Sequence, residues 1–173
     1  MSQNVNQEWF KEFSEKNERG DLRIKIDNEG FIYIAGSFDS DNNGIDWKLI
    51  KLNPGGDTIF NTTFNGVFNG DDFVNAIALD EENNIYLTGR FSAAGNQSSI
   101  ATFKINNIGE IIWQVISTPT EGINEGLYIL TDTIQNVFIG GKSGSLENSD
   151  VFLKNITRKE IWFWSYIHSS ANK

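Results

Sequence analysis

The chain repeats itself at a nearly fixed distance. Phe31-Ile32-Tyr33-Ile34-Ala35-Gly36-Ser37-Phe38 returns 53 positions later as Asn84-Ile85-Tyr86-Leu87-Thr88-Gly89-Arg90-Phe91. It returns again, more loosely, 52 positions further on as Asn136-Val137-Phe138-Ile139-Gly140-Gly141-Lys142-Ser143. The first step extends beyond this run: Asp27, Lys51, Asn53, Gly56 and Phe60 are followed, 53 positions on, by Asp80, Lys104, Asn106, Gly109 and Trp113. The third copy keeps Asp132, Phe138 and Gly141 at a step of 52 and then shortens before Asp150, aligning Lys104 with Lys154 at a step of 50. Its last hairpin carries Lys159 in the place of Gly56 and Gly109. A fixed period of this size marks tandem supersecondary units that bury their faces on one another.

Each unit reads as four antiparallel strands. Leu22, Ile24 and Ile26 alternate with Arg23 and Lys25, the pattern of a half-buried strand. Asp27-Asn28-Glu29-Gly30 is a hairpin turn with Gly placed for positive φ. Phe31 to Phe38 is apolar on both faces, as in an inner strand covered from two sides. Trp47 to Leu52 and Thr58 to Phe64 supply two more strands, joined through Asn53 to Asp57. The expected fold is therefore all-β, with tandem four-stranded antiparallel propeller-type blades at 21–70, 71–122 and 123–173 in one domain. The competing fold, an antiparallel sandwich of about twelve strands, gives no reason for the common register. In the N-terminal segment, residues 1–20, Trp9, Phe10 and Phe13 have helical spacing. Trp9 also stands about one period before Phe60, so the segment reads as a short helix or an extra strand.

Composition narrows the function classes. The chain has 173 residues, with room for one real core, and a formal net charge of −9. Its Lys and Arg are scattered, which argues against nucleic acid and against an anionic membrane surface. With no cysteine there is no disulfide framework, thiolate metal site or Cys nucleophile. Met1 to Gln7 has neither the basic start nor the apolar run of a signal peptide. No apolar run approaches the ~20 residues of a membrane helix. As written, the chain reads as a soluble, cytoplasmic protein.

The repeated positions resemble the SBBP-type bacterial β-propeller repeat. They are Asp27, Gly30, Tyr33, Gly36, Lys51, Asn53, Gly56 and Phe60, then Asp80, Tyr86, Gly89, Lys104, Asn106, Gly109 and Trp113. Asn83 stands in place of the first glycine, and Asn also tolerates left-handed geometry. The resemblance spans roughly residues 9–166. It implies a bacterial scaffold or recognition module, often extracellular or at the cell surface, with no shared catalytic residues to transfer. The expected protein is non-enzymatic.

Closed propellers need about 4–8 blades. Three blades leave two large apolar faces open, which soluble monomers avoid. The expectation is a homo-oligomer, with a dimer closing the ring favoured, or further blades of a longer protein. The alternative is a calcium-linked or carbohydrate-binding surface protein.

Several residues qualify as sites. Asp39-Ser40-Asp41-Asn42-Asn43-Gly44 resembles the start of a calcium loop, with Asp39, Asp41, Asn43 and Asp46 as candidate oxygen ligands. Trp47 and Ile50 stand where acidic residues would complete such a loop, so a solvated polar hairpin is the plainer account. Trp162, Trp164 and Tyr166 alternate along the last strand. With Trp9 and Phe13 they are expected at a blade or subunit interface, where aromatics are enriched, with sugar stacking as the alternative. His168 is the sole histidine, and no nucleophile-elbow or zinc-protease motif accompanies it.

Overall fold

The computed structural model describes residues 8–13, 22–40, 44–145, 149–156 and 165–168. The described residues are all-β, with one short 3-10 turn at Ala94–Asn96. The first sheet holds β1 (Arg23–Ile26), β2 (Ile32–Asp39), β3 (Ile45–Leu52) and β4 (Thr58–Phe64). The second holds β5 (Phe73–Leu79), β6 (Ile85–Ala93), β7 (Gln97–Ile105) and β8 (Ile111–Ser117). The third holds β9 (Ile123–Thr131), β10 (Val137–Gly144), β11 (Ser149–Ile156) and β12 (Ser165–His168). In each sheet the four strands pair antiparallel in chain order. No described helix is long and apolar enough to cross a membrane. Residues 8–13 carry neither helix nor strand, and the rest of 1–20 lies outside the described residues.

The first hairpin of each sheet is closed by an aspartate. Asp27 Oδ1 accepts from the Glu29 and Phe31 amides at 3.0 and 2.9 Å. Asp80 Oδ1 does the same for Glu82 and Asn84 at 3.0 and 2.9 Å, and Asp132 Oδ1 for Ile134 and Asn136 at 3.0 and 2.8 Å. Such a carboxylate mimics a backbone turn and fixes where the next strand begins. The turn needs a left-handed residue, supplied by Gly30 (φ 85°), Asn83 (φ 59°) and Gln135 (φ 65°).

The second sheet lies between the other two. Tyr33, Trp47 and Leu49 of the first sheet pack on Ile85, Leu87 and Phe103 of the second. The Trp47 ring lies 4.8 Å from Phe91 and 5.7 Å from Phe103. On the other face, Tyr86 and Ile100 pack on Ile129, Val137, Ile139 and Phe152 of the third sheet. This is why β6 is apolar at successive positions: Ile85 and Leu87 serve one interface and Tyr86 the other. Each such buried side chain contributes roughly 1.5–3 kcal/mol. An ion pair with a half-exposed lysine, such as Lys142–Glu125, is worth about 0–1 kcal/mol, so apolar burial holds the stack together.

The first strands of the second and third sheets, β5 and β9, carry the same bulge. Val74 pairs with Gly89 and Ala76 with Thr88, leaving Asn75 without a ladder partner. Gly126 pairs with Gly141 and Tyr128 with Gly140, leaving Leu127 in that position. The freed Asn75 bridges the sheets. Its carbonyl accepts from Arg23 Nε at 2.6 Å, and its Nδ2 donates to Gly126 O at 2.9 Å. Gly89 is needed opposite the bulge, because a Cβ there would run into Phe73 O.

The pairing corrects one alignment. Tyr33 pairs with Lys51 and Tyr86 with Lys104, but Phe138 pairs with Asn155. Asn155, not Lys154, therefore stands in the place of Lys104. A shift of one residue turns a strand's side chains to the opposite face. Lys154 accordingly points toward the second sheet, where its Nζ donates to Ser117 Oγ at 3.0 Å and burial lowers its pKa.

Candidate functional site

The outer face of the third sheet is apolar and open. Tyr128, Leu130, Val151 and Leu153 are 71, 69, 69 and 44% exposed. They are neighbours on one surface: Leu130 pairs with Phe138, while Tyr128 and Leu153 flank Gly140. Tyr166 of β12 pairs with Leu153 and continues the sheet.

The first sheet presents the complementary kind of surface. Ile24 pairs with Ile34 and Ile26 with Ile32, and these continue to Ile50 and Leu52 of β3. The same positions of the second sheet are Ile77, Leu79, Ile85, Leu87, Phe103 and Ile105, the side chains that pack on the first sheet. Ile24 and Ile26 remain exposed, whereas Ile50 and Leu52 are buried.

Trp9 lies against the first sheet at its last hairpin. Its Nε1 donates to Pro54 O at 3.2 Å, and a Cβ on Gly56 would meet the indole at 3.1 Å. A Cβ on Gly109 would meet the Phe60 ring at 3.3 Å in the same way. Trp9 thus takes, relative to the first sheet, the place that Phe60 takes relative to the second. Phe13 is half-buried.

Two polar contacts recur: a phenol binds the turn aspartate of its own sheet, and a lysine reaches the next sheet. Tyr33 Oη donates to Asp27 Oδ2 at 2.9 Å, and Tyr86 Oη to Asp80 Oδ2 at 2.8 Å. Burial raises the Tyr33 pKa, and its bond to Asp27 adds to the rise. Lys51 Nζ lies 4.6 Å from the Phe31 ring centre and donates across to Asn107 O at 2.9 Å. Lys104 Nζ donates to Gln135 Oε1 at 3.1 Å. Burial pushes the Asp80 carboxyl up, but Asn84, Tyr86 and Lys104 together hold it below the ordinary value. In the third sheet Phe138 and Asn155 replace the phenol and the ammonium. The third sheet therefore carries no lysine at the position from which Lys51 and Lys104 reach the next sheet.

The links between sheets are built on two buried nodes. Asp72 Oδ2 accepts from Gly66 N at 2.6 Å and Oδ1 from Ser92 N at 2.7 Å. Burial nonetheless raises its pKa. Asn124 donates through Nδ2 to Ser98 O and Thr120 O, both at 2.8 Å, and accepts at Oδ1 from Ser143. Sequence reasoning did not single out Asp72 or Asn124. The available signal was a polar residue recurring 52 positions apart at the entrance to an apolar strand.

Of the candidate metal ligands, Asp39 ends β2 and Asp46 lies on β3, paired with Phe38. Asp41 and Asn43 lie outside the described residues, as do Trp162 and Trp164. Asp46 is 7% exposed, its Oδ1 has no hydrogen-bond partner, and burial raises its pKa. Among the described residues no three His, Cys, Asp or Glu side chains gather as metal ligands. No protein-family model matches the chain, and no curated protein matches it.

Proposed function

We propose that the chain is a non-enzymatic β-propeller-type module for structure or recognition, and that a second copy covers its open sheet faces. The observation that carries this reading is the exposed set Tyr128, Leu130, Val151 and Leu153 on the third sheet. Such a contiguous apolar patch marks an interaction surface. The same stacking already joins the first sheet to the second and the second to the third. The outer face of the first sheet repeats the apolar positions that the second sheet uses, and of these Ile24 and Ile26 are exposed while Ile50 and Leu52 are already covered, so third-on-first contact between two copies would seat on β1. The likeness of the repeated positions to SBBP-type repeats supports the same reading.

Light scattering on the purified chain tests it. A dimer is expected, and Leu153→Asp should shift it toward monomer. A monodisperse monomer near 19.5 kDa at all concentrations overturns the reading.

A second reading, a calcium-linked surface protein, rests on the unpartnered Asp46 Oδ1 beside the acidic loop. A calcium titration that leaves the melting temperature unmoved removes it.

A further inference from the structure

Arg90 faces Phe73 across the β5–β6 ladder. Lys142 and Glu125 occupy the same cross-strand position 52 residues later. In the third sheet the cation has a carboxylate, with Lys142 Nζ 2.8 Å from Glu125 Oε1. In the second sheet it has a ring instead, with Arg90 Cζ 4.6 Å from the Phe73 centroid. The ring attracts the guanidinium and restricts where it lies. It supplies no negative charge and no strong acceptor. The Arg90 side chain makes no ion pair or hydrogen bond to a described residue, and its buried Nε has no acceptor.

Arg90 lines a cavity of about 430 Å³. Asp71, Ser92, Asn96, Gln97 and Phe68 line it as well. The volume is within the range of small-molecule sites, roughly 300–1,000 Å³. An arginine held in place without a counter-ion suits a planar carboxylate, which it can grip through two parallel N–H donors. The amides of Asn96 and Gln97, the Ser92 hydroxyl and the Asp71 carboxylate suit hydroxyl groups. Phe68, 55% exposed, suits the apolar face of a ring.

We propose that this cavity binds a small hydroxylated carboxylate of the acidic-sugar class, with Arg90 taking the carboxylate that its equivalent Lys142 finds in Glu125. Isotope-labelled protein is titrated with glucuronate and, as the neutral control, glucose, and followed by NMR. Glucuronate should shift the Arg90 side-chain and Gly70 and Ser92 amide signals, and glucose should not. Arg90→Gln should weaken binding by about 10–100-fold, the usual effect of losing hydrogen bonds to a charged group. Lys142→Gln should leave binding unchanged. Equal response to both sugars, no shift with glucuronate, or full binding by Arg90→Gln overturns the proposal. Because oligomeric state is measured separately, failure here is distinct from failure of the self-association reading.

Discussion

Lys104 Nζ stands 3.4 Å from Asp80 Oδ2, and both side chains are almost fully enclosed. The pair joins a turn, a phenol and the neighbouring sheet in one network.

The folded-state pKa of Asp80 is lowered, so its ionised form stabilises the fold. That contribution is complete above the ordinary aspartate range and is lost as pH falls through the lowered value. Asp80→Asn should therefore cost about 2 kcal/mol near neutrality, the worth of hydrogen bonds to a charged group. The cost should shrink in acid. Denaturant unfolding of both proteins across pH measures the difference.

Gly89→Ala places a Cβ against Phe73 O and within 2.8 Å of Trp47 Cζ2. Neither the ladder carbonyl nor the enclosed indole can move cheaply. The expected loss is about 3 kcal/mol, at the upper end for overpacking. Gly95→Ala is the control, because nothing lies within 4 Å of that position. It should show only the left-handed backbone cost of about 1–2 kcal/mol. Chemical denaturation compares the two.

Asp46 has a raised pKa and a buried oxygen without a partner. Its ionised form is disfavoured in the fold, so it destabilises above the raised pKa and ceases to do so below the ordinary aspartate value. Asp46→Asn should gain about 1 kcal/mol near neutrality, from the removal of an unsatisfied charge. The gain should fade as pH drops. Melting temperatures at several pH values check the sign.

Trp9→Ala removes the Nε1–Pro54 bond and the ring lying on Gly56. Because Trp9 is 40% exposed, the loss should be about 1–2 kcal/mol rather than the ~3–5 kcal/mol of a core tryptophan. A Trp9→Phe variant, which restores the ring but not the donor, should recover part of it. Thermal unfolding of the three proteins separates ring from hydrogen bond.

Much of the fold was legible in the sequence, and for identifiable reasons. Alternation at Leu22 to Ile26 and the two-faced run from Phe31 to Phe38 match β1 and β2 within a residue. The aspartates that open each turn were visible as a recurring position, and their bonds explain the recurrence. The third copy was less legible because its loop before Asp150 changes length. Counting residues then favoured matching lysine to lysine, whereas the ladder sets Asn155 opposite Phe138. The site was harder still. That Arg90 meets a ring while Lys142 meets a carboxylate is a cross-strand fact, and it depends on a bulge that sequence spacing does not reveal. The interface aromatics were named for their spacing, but Trp9 acts through the bare backbone of Gly56 rather than through a strand.

The second sheet is packed on both faces, whereas the third turns Tyr128, Leu130, Val151 and Leu153 outward and the first leaves Ile24 and Ile26 exposed. Contacts within a sheet are between sequence neighbours, so each sheet forms locally and then depends on the sheet beside it. Cohesion in such an array is a sum of local terms and nearest-neighbour couplings. Amide exchange should then be graded by position. Protons on β6 and β7, coupled from both sides, should be the last to leave, and those on β1 and β12 should trade with solvent first. A partner seated on the third sheet would convert its outward face into a second coupling and slow exchange along β10 without touching any hydrogen bond within it.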